Sequence, residues 1–251
     1  MNTLQHKAVR RRIFPRQEWI EQNRLRNNFE RRLFNSLRRK FRQIGSALSV
    51  EYSQSNFAPS SLIFNSQIAE TLIPHYTAVI EAFGLRVIRN REQKQETQFE
   101  TLIREYIASY GAQRITQISS TTRKQIERII GSGVSDSLSL DQIAKNIYDF
   151  MSGAFSRTRA ATIARTETHN AASYANHLVH ESFDVPLVKQ WVSSNDDRAR
   201  EAHRQANGQQ ADMNSPFLIG GLPMQYPGDP MGGASNVINC RCVLIYVEKE
   251  E

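Results

Sequence analysis

VPLVKQWVSS (185–194) is where the pattern of this 251-residue chain changes. Upstream of it, apolar residues recur every three to four positions, the spacing of helices with one buried face. Here β-branched and aromatic residues crowd together just after Pro186, which reads as a strand. Downstream, CRCVLIYVE (240–248) reads as a second strand. The expected fold class is α+β: a long, mostly helical N-terminal part followed by a small α+β C-terminal domain with a short β-sheet. The expected organisation is a flexible basic tail over 1–15, a helical region over 16–138 and the α+β domain over 139–251.

Working back from Pro186, a helix is expected from about Arg157 to Ser182. Before it lies SLDQIAKNI (139–147), with Ser139 as N-cap and Ile143, Ile147 and Phe150 behind it. A helix near Ser120–Ile130 ends at GSGVSDS (131–137). Another carries the stripe Phe99, Leu102, Ile103, Tyr106 and Ile107. Residues 61–83 form a helix that stops near Gly84, and NFAPSSL (56–62) separates it from the first helix. That first helix runs from about Arg16 to Leu48, with Phe29, Leu33, Leu37, Phe41, Ile44 and Leu48 on one face; it would span roughly 50 Å. Working forward, DDRAREAHRQANGQ (196–209) reads as a short helix and an Asn-Gly turn. SPFLIGGLPMQYPGDPMGGASN (215–236) reads as irregular.

The charge is uneven. The net value is +7, but residues 1–50 hold 13 Lys or Arg against 3 Glu, so the remainder is net acidic. Arg10, Arg11 and Arg12 lie in the tail, and Arg31, Arg32, Arg38, Arg39, Lys40 and Arg42 fall between the stripe positions. Such a segment is either a solvated helix face or a surface for DNA phosphates or an acidic partner. Its aromatics lie in the stripe and suit packing rather than base stacking. A mean hydropathy of −0.52 and the lack of a long apolar run argue against a membrane span. The N-terminus has no apolar core after its basic residues, so no secretory signal is expected. A reducing cytoplasm is the expected place of synthesis, where two cysteines are more often free or metal-bound than paired.

Cys240 and Cys242 are the only cysteines. In a strand, residues i and i+2 share a face, so the two thiols would project together. Two thiolates on one face suit a soft metal, and a tetrahedral zinc site would take two more ligands, for which His203 and Asp196 are the candidates. The alternative is two small buried apolar residues. His169, His177 and His180 are expected at the surface or at helix caps. Arg165 and Glu167, in IARTETHNAA (163–172), are expected to tie their helix to the α+β end. There is no phosphate-binding glycine loop, nucleophile elbow, zincin or deaminase pattern, and no nucleophile with an evident base. The expectation is that the chain is not an enzyme.

RAATIARTETHNAA (159–172), KQWVSSNDDRAREAHRQANGQ (189–209), YPGDP (226–230) and INCRC (238–242) resemble, in order and spacing, the phage Mu F-like domain of minor head (head morphogenesis) proteins of tailed phages. The resemblance covers roughly 139–247. Its pattern falls here on Trp191, Asp196, Arg198, His203 and Gly208, and on the final Cys240, Arg241 and Cys242. The family accepts Cys or His at the position of His203, which implies a zinc ligand set. Asn207 stands where many members carry Asp, against a ligand from that turn. The resemblance also implies a structural role. The chain would sit inside the virion head near the portal vertex. Its partners would be the portal protein, the capsid interior and packaged double-stranded DNA, bound without sequence preference. Two alternatives are a metal-dependent, nuclease-like hydrolase, with Asp196 as base and Arg198 as anion holder, and an internal scaffold protein.

Overall fold

The apolar stripe that starts at Leu33 becomes the buried face of α1 (Pro15–Ser55) in the computed structural model, which describes residues 14–55, 61–89, 98–183 and 185–249. Leu33, Leu37, Phe41, Ile44, Leu48 and Tyr52 are all buried. Steps of four and three keep them on one side of a 3.6-residue turn. They pack on α5 (Leu140–Ser152) and α6 (Ala154–Glu181). At roughly 1.5–3 kcal/mol for each large apolar side chain buried, this face holds the helical part together. The helix continues past the expected end at Leu48, because Tyr52 extends the same buried face.

α2 (Ser61–Arg89) does not stop at Gly84. Phe83 and Val87 are both buried against the core, and that burial outweighs the ~1 kcal/mol a helical glycine costs. The next two expected helices are one continuous run: α3 (Gln98–Tyr106), a π-helical turn (Ile107–Gly111) and α4 (Ala112–Ser135). α4 runs through Gly131 and Gly133 to Ser135, beyond the expected break. A Cβ on Gly133 would lie 2.6 Å from Ile143 Cγ1, so α5 crosses here only because that position lacks a side chain. α5 begins as expected at Ser139. Its hydroxyl accepts from the Gln142 amide at 3.2 Å, and the Gln142 side chain accepts from the Ser139 amide at 2.8 Å.

After Pro186, β1 (Leu187–Val192) is the middle strand of a three-stranded antiparallel sheet ordered β2 (Gln210–Asp212), β1, β5 (Val243–Glu248). Trp191 faces Leu244 across the β1–β5 pair. α7 (Glu201–Gln205) lies between β1 and β2. The stretch expected to be irregular holds a small hairpin, β3 (Phe217–Ile219) with β4 (Leu222–Met224), then a 3-10 turn (Pro230–Gly232) and α8 (Gly233–Val237). These elements are too short to leave a periodic trace in the sequence. The buried core is continuous from Leu33 in α1 to Tyr246 in β5.

The first turns of α1 lie along the free side of β5. Gln22 donates to the Leu244 carbonyl at 3.1 Å, Trp19 Nε1 to the Arg241 carbonyl at 3.0 Å, and Arg16 to the Ser194 carbonyl at 3.3 Å. An uncovered edge strand offers unpaired backbone groups, and a helix laid over it removes them from other chains. No helix among the described residues is long and apolar enough to cross a membrane.

Candidate metal centre

α6 is a helix buried on almost every side between Ile163 and Val179. Ala160, Ala164, Ala171, Ala172 and Ala175 are buried and let neighbouring elements approach closely. Several of the polar residues between them meet partners rather than water, as buried polar groups usually do. Thr166 Oγ1 accepts from the Asn239 amide at 3.1 Å, and Arg165 donates to Asn239 Oδ1 at 3.0 Å. Arg165 thus ties α6 to the α+β end, as expected. Glu167 does not: it turns to the helical part, taking Arg114 through Nε and Nη2 at 3.0 and 2.9 Å and the Tyr76 hydroxyl at 2.9 Å. Helix geometry explains the split, since residues two apart point about 200° from each other.

His169 and His177 are buried, not at the surface. His180 is half-buried, and its Nδ1 meets the Asn176 carbonyl at 2.6 Å. His169 is held from α1 by Arg26, whose guanidinium also donates to Asn23 Oδ1 at 2.6 Å and to the Arg241 carbonyl at 3.2 Å. Gly228 of YPGDP crosses over this point with φ +92°. A Cβ there would lie 2.6 Å from Asn170 Oδ1 and 3.1 Å from His169 Cδ2, so the loop closes over α6 only as glycine.

The cysteines stand just before β5, not within it, so strand alternation is not what aligns them. Segment 238–242 is pinned instead. Asn239 adopts φ +59°, the Cys240 amide donates to the Val237 carbonyl at 3.2 Å, and Arg200 donates to the Ile238 carbonyl at 2.6 Å. Both thiols still face inward, each residue 2% exposed. α7 turns His203 toward them. Its Nδ1 lies 3.3 Å from Cys242 Sγ and 3.7 Å from Cys240 Sγ. The donor atoms of His203, Cys240 and Cys242 all lie within 4.8 Å of one another. Trp191, fully buried, walls the cluster with its ring 5.7 Å from that of His203 and 5.4 Å from Phe217. Gly208 takes φ +84° in the turn beyond α7, and its amide donates to the Trp191 carbonyl at 2.8 Å. Asn207 Oδ1 accepts from the Ser193 amide at 2.9 Å, a fold-holding role for that turn.

The two thiols are driven apart in acidity. Cys240 is held well below the ordinary thiol value by a hydrogen bond from Cys242, against the opposing effect of burial, with help from His169 and His203. Cys242 is pushed well up by burial and by the negative charge on Cys240. Two sulfurs and an imidazole nitrogen at this spacing suit a borderline-soft cation such as zinc.

Asp196 is not gathered with these three. It is exposed on the turn after β1, where it accepts from the Ser194 hydroxyl at 3.1 Å and the Arg198 amide at 3.2 Å. Its other oxygen lies 3.5 Å from Arg241 Nη1. A carboxylate two residues before an amide closes such a turn on its own, which competes with ligation. Arg198 is exposed and contributes that amide. Of the basic residues read as a DNA surface, Arg31, Arg32, Arg39 and Arg42 are exposed on α1, while Arg38 and Lys40 are half-buried. Arg38 lies over the Phe34 ring, and Lys40 bonds Glu70 at 3.0 Å. Arg10, Arg11 and Arg12 lie outside the described residues. His169 lies in one of the family-like segments but is expected from sequence at the surface or a helix cap, and Arg26 carries no motif that singles it out. The available signal was the density of alanine around TETHN, which marks a helix packed too closely to leave its polar residues in water.

Residues 124–245 match the sequence model of the family described as Phage Mu protein F like protein. This segment belongs to that family. The Mu F-like segment contains α6, β1, β2, the first half of β5 and every residue of the cluster. Among curated proteins, the chain is 31% identical over 126 residues to "Minor head protein GP7" of Bacillus phage SPP1, covering 49% of this chain and 40% of that protein. It is 25% identical over 139 residues to "NAD(+)--arginine ADP-ribosyltransferase EFV" of Enterococcus faecalis, covering 54% of this chain and 28% of that protein. It is 28% identical over 127 residues to "Uncharacterized protein YqbB" of Bacillus subtilis, covering 49% and 41%. The matches thus span less than half the length of these relatives. No solved structure matches.

Proposed function

We propose that the chain serves as a minor head protein of a tailed phage, placed inside the head near the portal vertex and in contact with packaged DNA. The observation that carries this reading is the Mu F-like match over residues 124–245, together with the SPP1 minor head protein among the relatives. The charge distribution supports the DNA contact. Arg31, Arg32, Arg39 and Arg42 are exposed on a helix whose other side is sealed against the core. Such a face binds phosphates without reading bases, and its affinity falls steeply with salt. The Mu F-like domain is further stabilised by zinc on Cys240, Cys242 and His203.

The hydrolase alternative draws no support from Asp196, which closes a surface turn beside Arg241 instead of facing the donors. Quantitative mass spectrometry of purified virions, counting this chain against the portal protein, tests the proposal. The expected ratio is near or below one. Hundreds of copies would point to a scaffold, and absence from virions and procapsids alike would defeat the head-protein reading.

A further inference from the structure

A cavity of about 230 Å³ lies where the helical part meets the α+β end, and none of the three metal donors lines it. One side is the run from α3 to α4, which contributes Tyr106, Tyr110 and Arg114. The other is the YPGDP loop with Tyr226 and Gly228, followed by α8 with Ala234. Tyr110 stands on the π-helical turn, a rare element found frequently at functional sites. Asn170 of α6 also lines the cavity. It is 6% exposed, and its Oδ1 has no hydrogen-bond partner among the described residues. A buried acceptor without a donor is costly, and each one in a native fold calls for an explanation.

The lining limits what can fill the space. Of the described residues around it, Arg114 alone is charged, so a cation would find no counter-ion. An aliphatic group would leave Asn170 unpaired, and a bare phosphate would face three tyrosine rings. A nucleobase suits both kinds of wall. Its flat ring packs on aromatic side chains, and its edge carries the N–H groups and acceptors that Asn and Gln amides bind. Gln113 and Gln117 line the cavity and are exposed, which places them at its mouth. Arg114 commits three of its five N–H groups to Glu167 and Gln117, which leaves donors for a phosphate.

We propose that this cavity receives one unpaired nucleobase, with an exocyclic N–H donated to Asn170 Oδ1, the ring against Tyr110 and Tyr226, and the phosphate at the mouth beside Arg114. The same chemistry belongs to an unpaired base in a DNA strand and to a free nucleotide. It differs from the contact proposed for α1, which binds phosphates and ignores bases, and it stands without that contact or the metal.

The test uses the full chain and three probes: a short oligo-dA strand, a fully abasic strand of the same length, and deoxyadenosine monophosphate. Oligo-dA should bind about 5- to 150-fold more tightly than the abasic strand, the range that stacking one base supplies. Ala234→Trp sets a ring in the mouth from an exposed position, so it leaves the core alone, and it should abolish the difference. Tyr110→Leu should shrink it. Abasic binding should be equal in all three chains. A strand preference without uptake of the mononucleotide assigns the site to nucleic acid; uptake of the mononucleotide without a strand preference assigns it to a free nucleotide. No base-dependent binding in either arm, or base-dependent binding that survives Ala234→Trp, would overturn the proposal. Equal binding of both strands would still leave the phosphate contact of α1 in place.

Discussion

The two halves of α1 are held in opposite ways. From Leu33 to Tyr52 the buried positions are apolar and meet α5 and α6 through area. From Arg16 to Arg26 the contacts are directional: Arg16, Trp19, Gln22 and Arg26 each donate to a backbone carbonyl of the α+β end. The reason lies in what each half faces. Helices present side chains, which reward apolar cover. The free side of β5 and the segment before it present carbonyls, which reward donors and penalise apolar cover. One helix therefore changes its residue type along its length to suit two surfaces.

The largest test of the contrast is in the apolar half. Phe41→Ala removes a 1%-exposed ring from the stripe and should cost about 3–5 kcal/mol, seen as a shifted midpoint in urea unfolding. A loss under about 1 kcal/mol would mean the stripe does not carry the helix. Next comes a charged knot in the helical part whose carboxylate is fully buried. Arg114→Met strands the fully buried Glu167 carboxylate and should cost about 3 kcal/mol, the lower end for a broken buried pair because Arg114 reaches the rim. In a Glu167→Gln background the same change should cost much less. Equal costs in both backgrounds would show the pair to be uncoupled.

This contrast also marks what the sequence could reveal. The apolar half of α1, the Ser139 cap and the strands β1 and β5 were legible because burial and capping act through residue type at fixed spacing. The polar half was not. Gln22 and Arg26 look like solvent-facing residues until the carbonyls they reach are known, and those lie more than two hundred residues away in sequence. The candidate centre divides the same way. Cys240, Cys242 and His203 were found through chemistry, though the strand argument for the cysteines was wrong in its mechanism. Asp196 was chosen for its chemistry and lies elsewhere, because a local turn claimed its oxygens first. His169 was passed over because its setting depends on α1 and on Gly228 as well as on its own helix.

A smaller effect belongs to the boundary between the halves, where His75 packs edge-on to Phe29 with ring centres 6.1 Å apart and meets Thr168 Oγ1 at 2.8 Å. Burial lowers His75 to about 4 from an ordinary 6.5. Between those values the unfolded chain holds the proton and the folded chain does not. The His75 contribution is therefore constant above pH 6.5, falls as pH drops toward 4 by up to about 1.4 kcal/mol per unit, and levels off below. Comparing urea midpoints of the natural chain and His75→Gln across that range isolates the term. Parallel pH profiles would remove His75 as its source.

The smallest expected effect is the most selective. Trp19→Phe keeps an aromatic ring under Arg16, whose guanidinium lies 4.5 Å from the indole centre, and deletes only the N–H that reaches the Arg241 carbonyl at 3.0 Å. That carbonyl retains Arg26 as a donor, so the loss should be about 1 kcal/mol. Global unfolding would barely register it. Amide hydrogen exchange should: protection over residues 16–26 should fall while protection over 33–52 stays level, because an N-terminal segment held by a few directional bonds opens before one held by buried area. If both stretches lose protection together, α1 opens as a single unit and the division between its halves is chemical without being energetic.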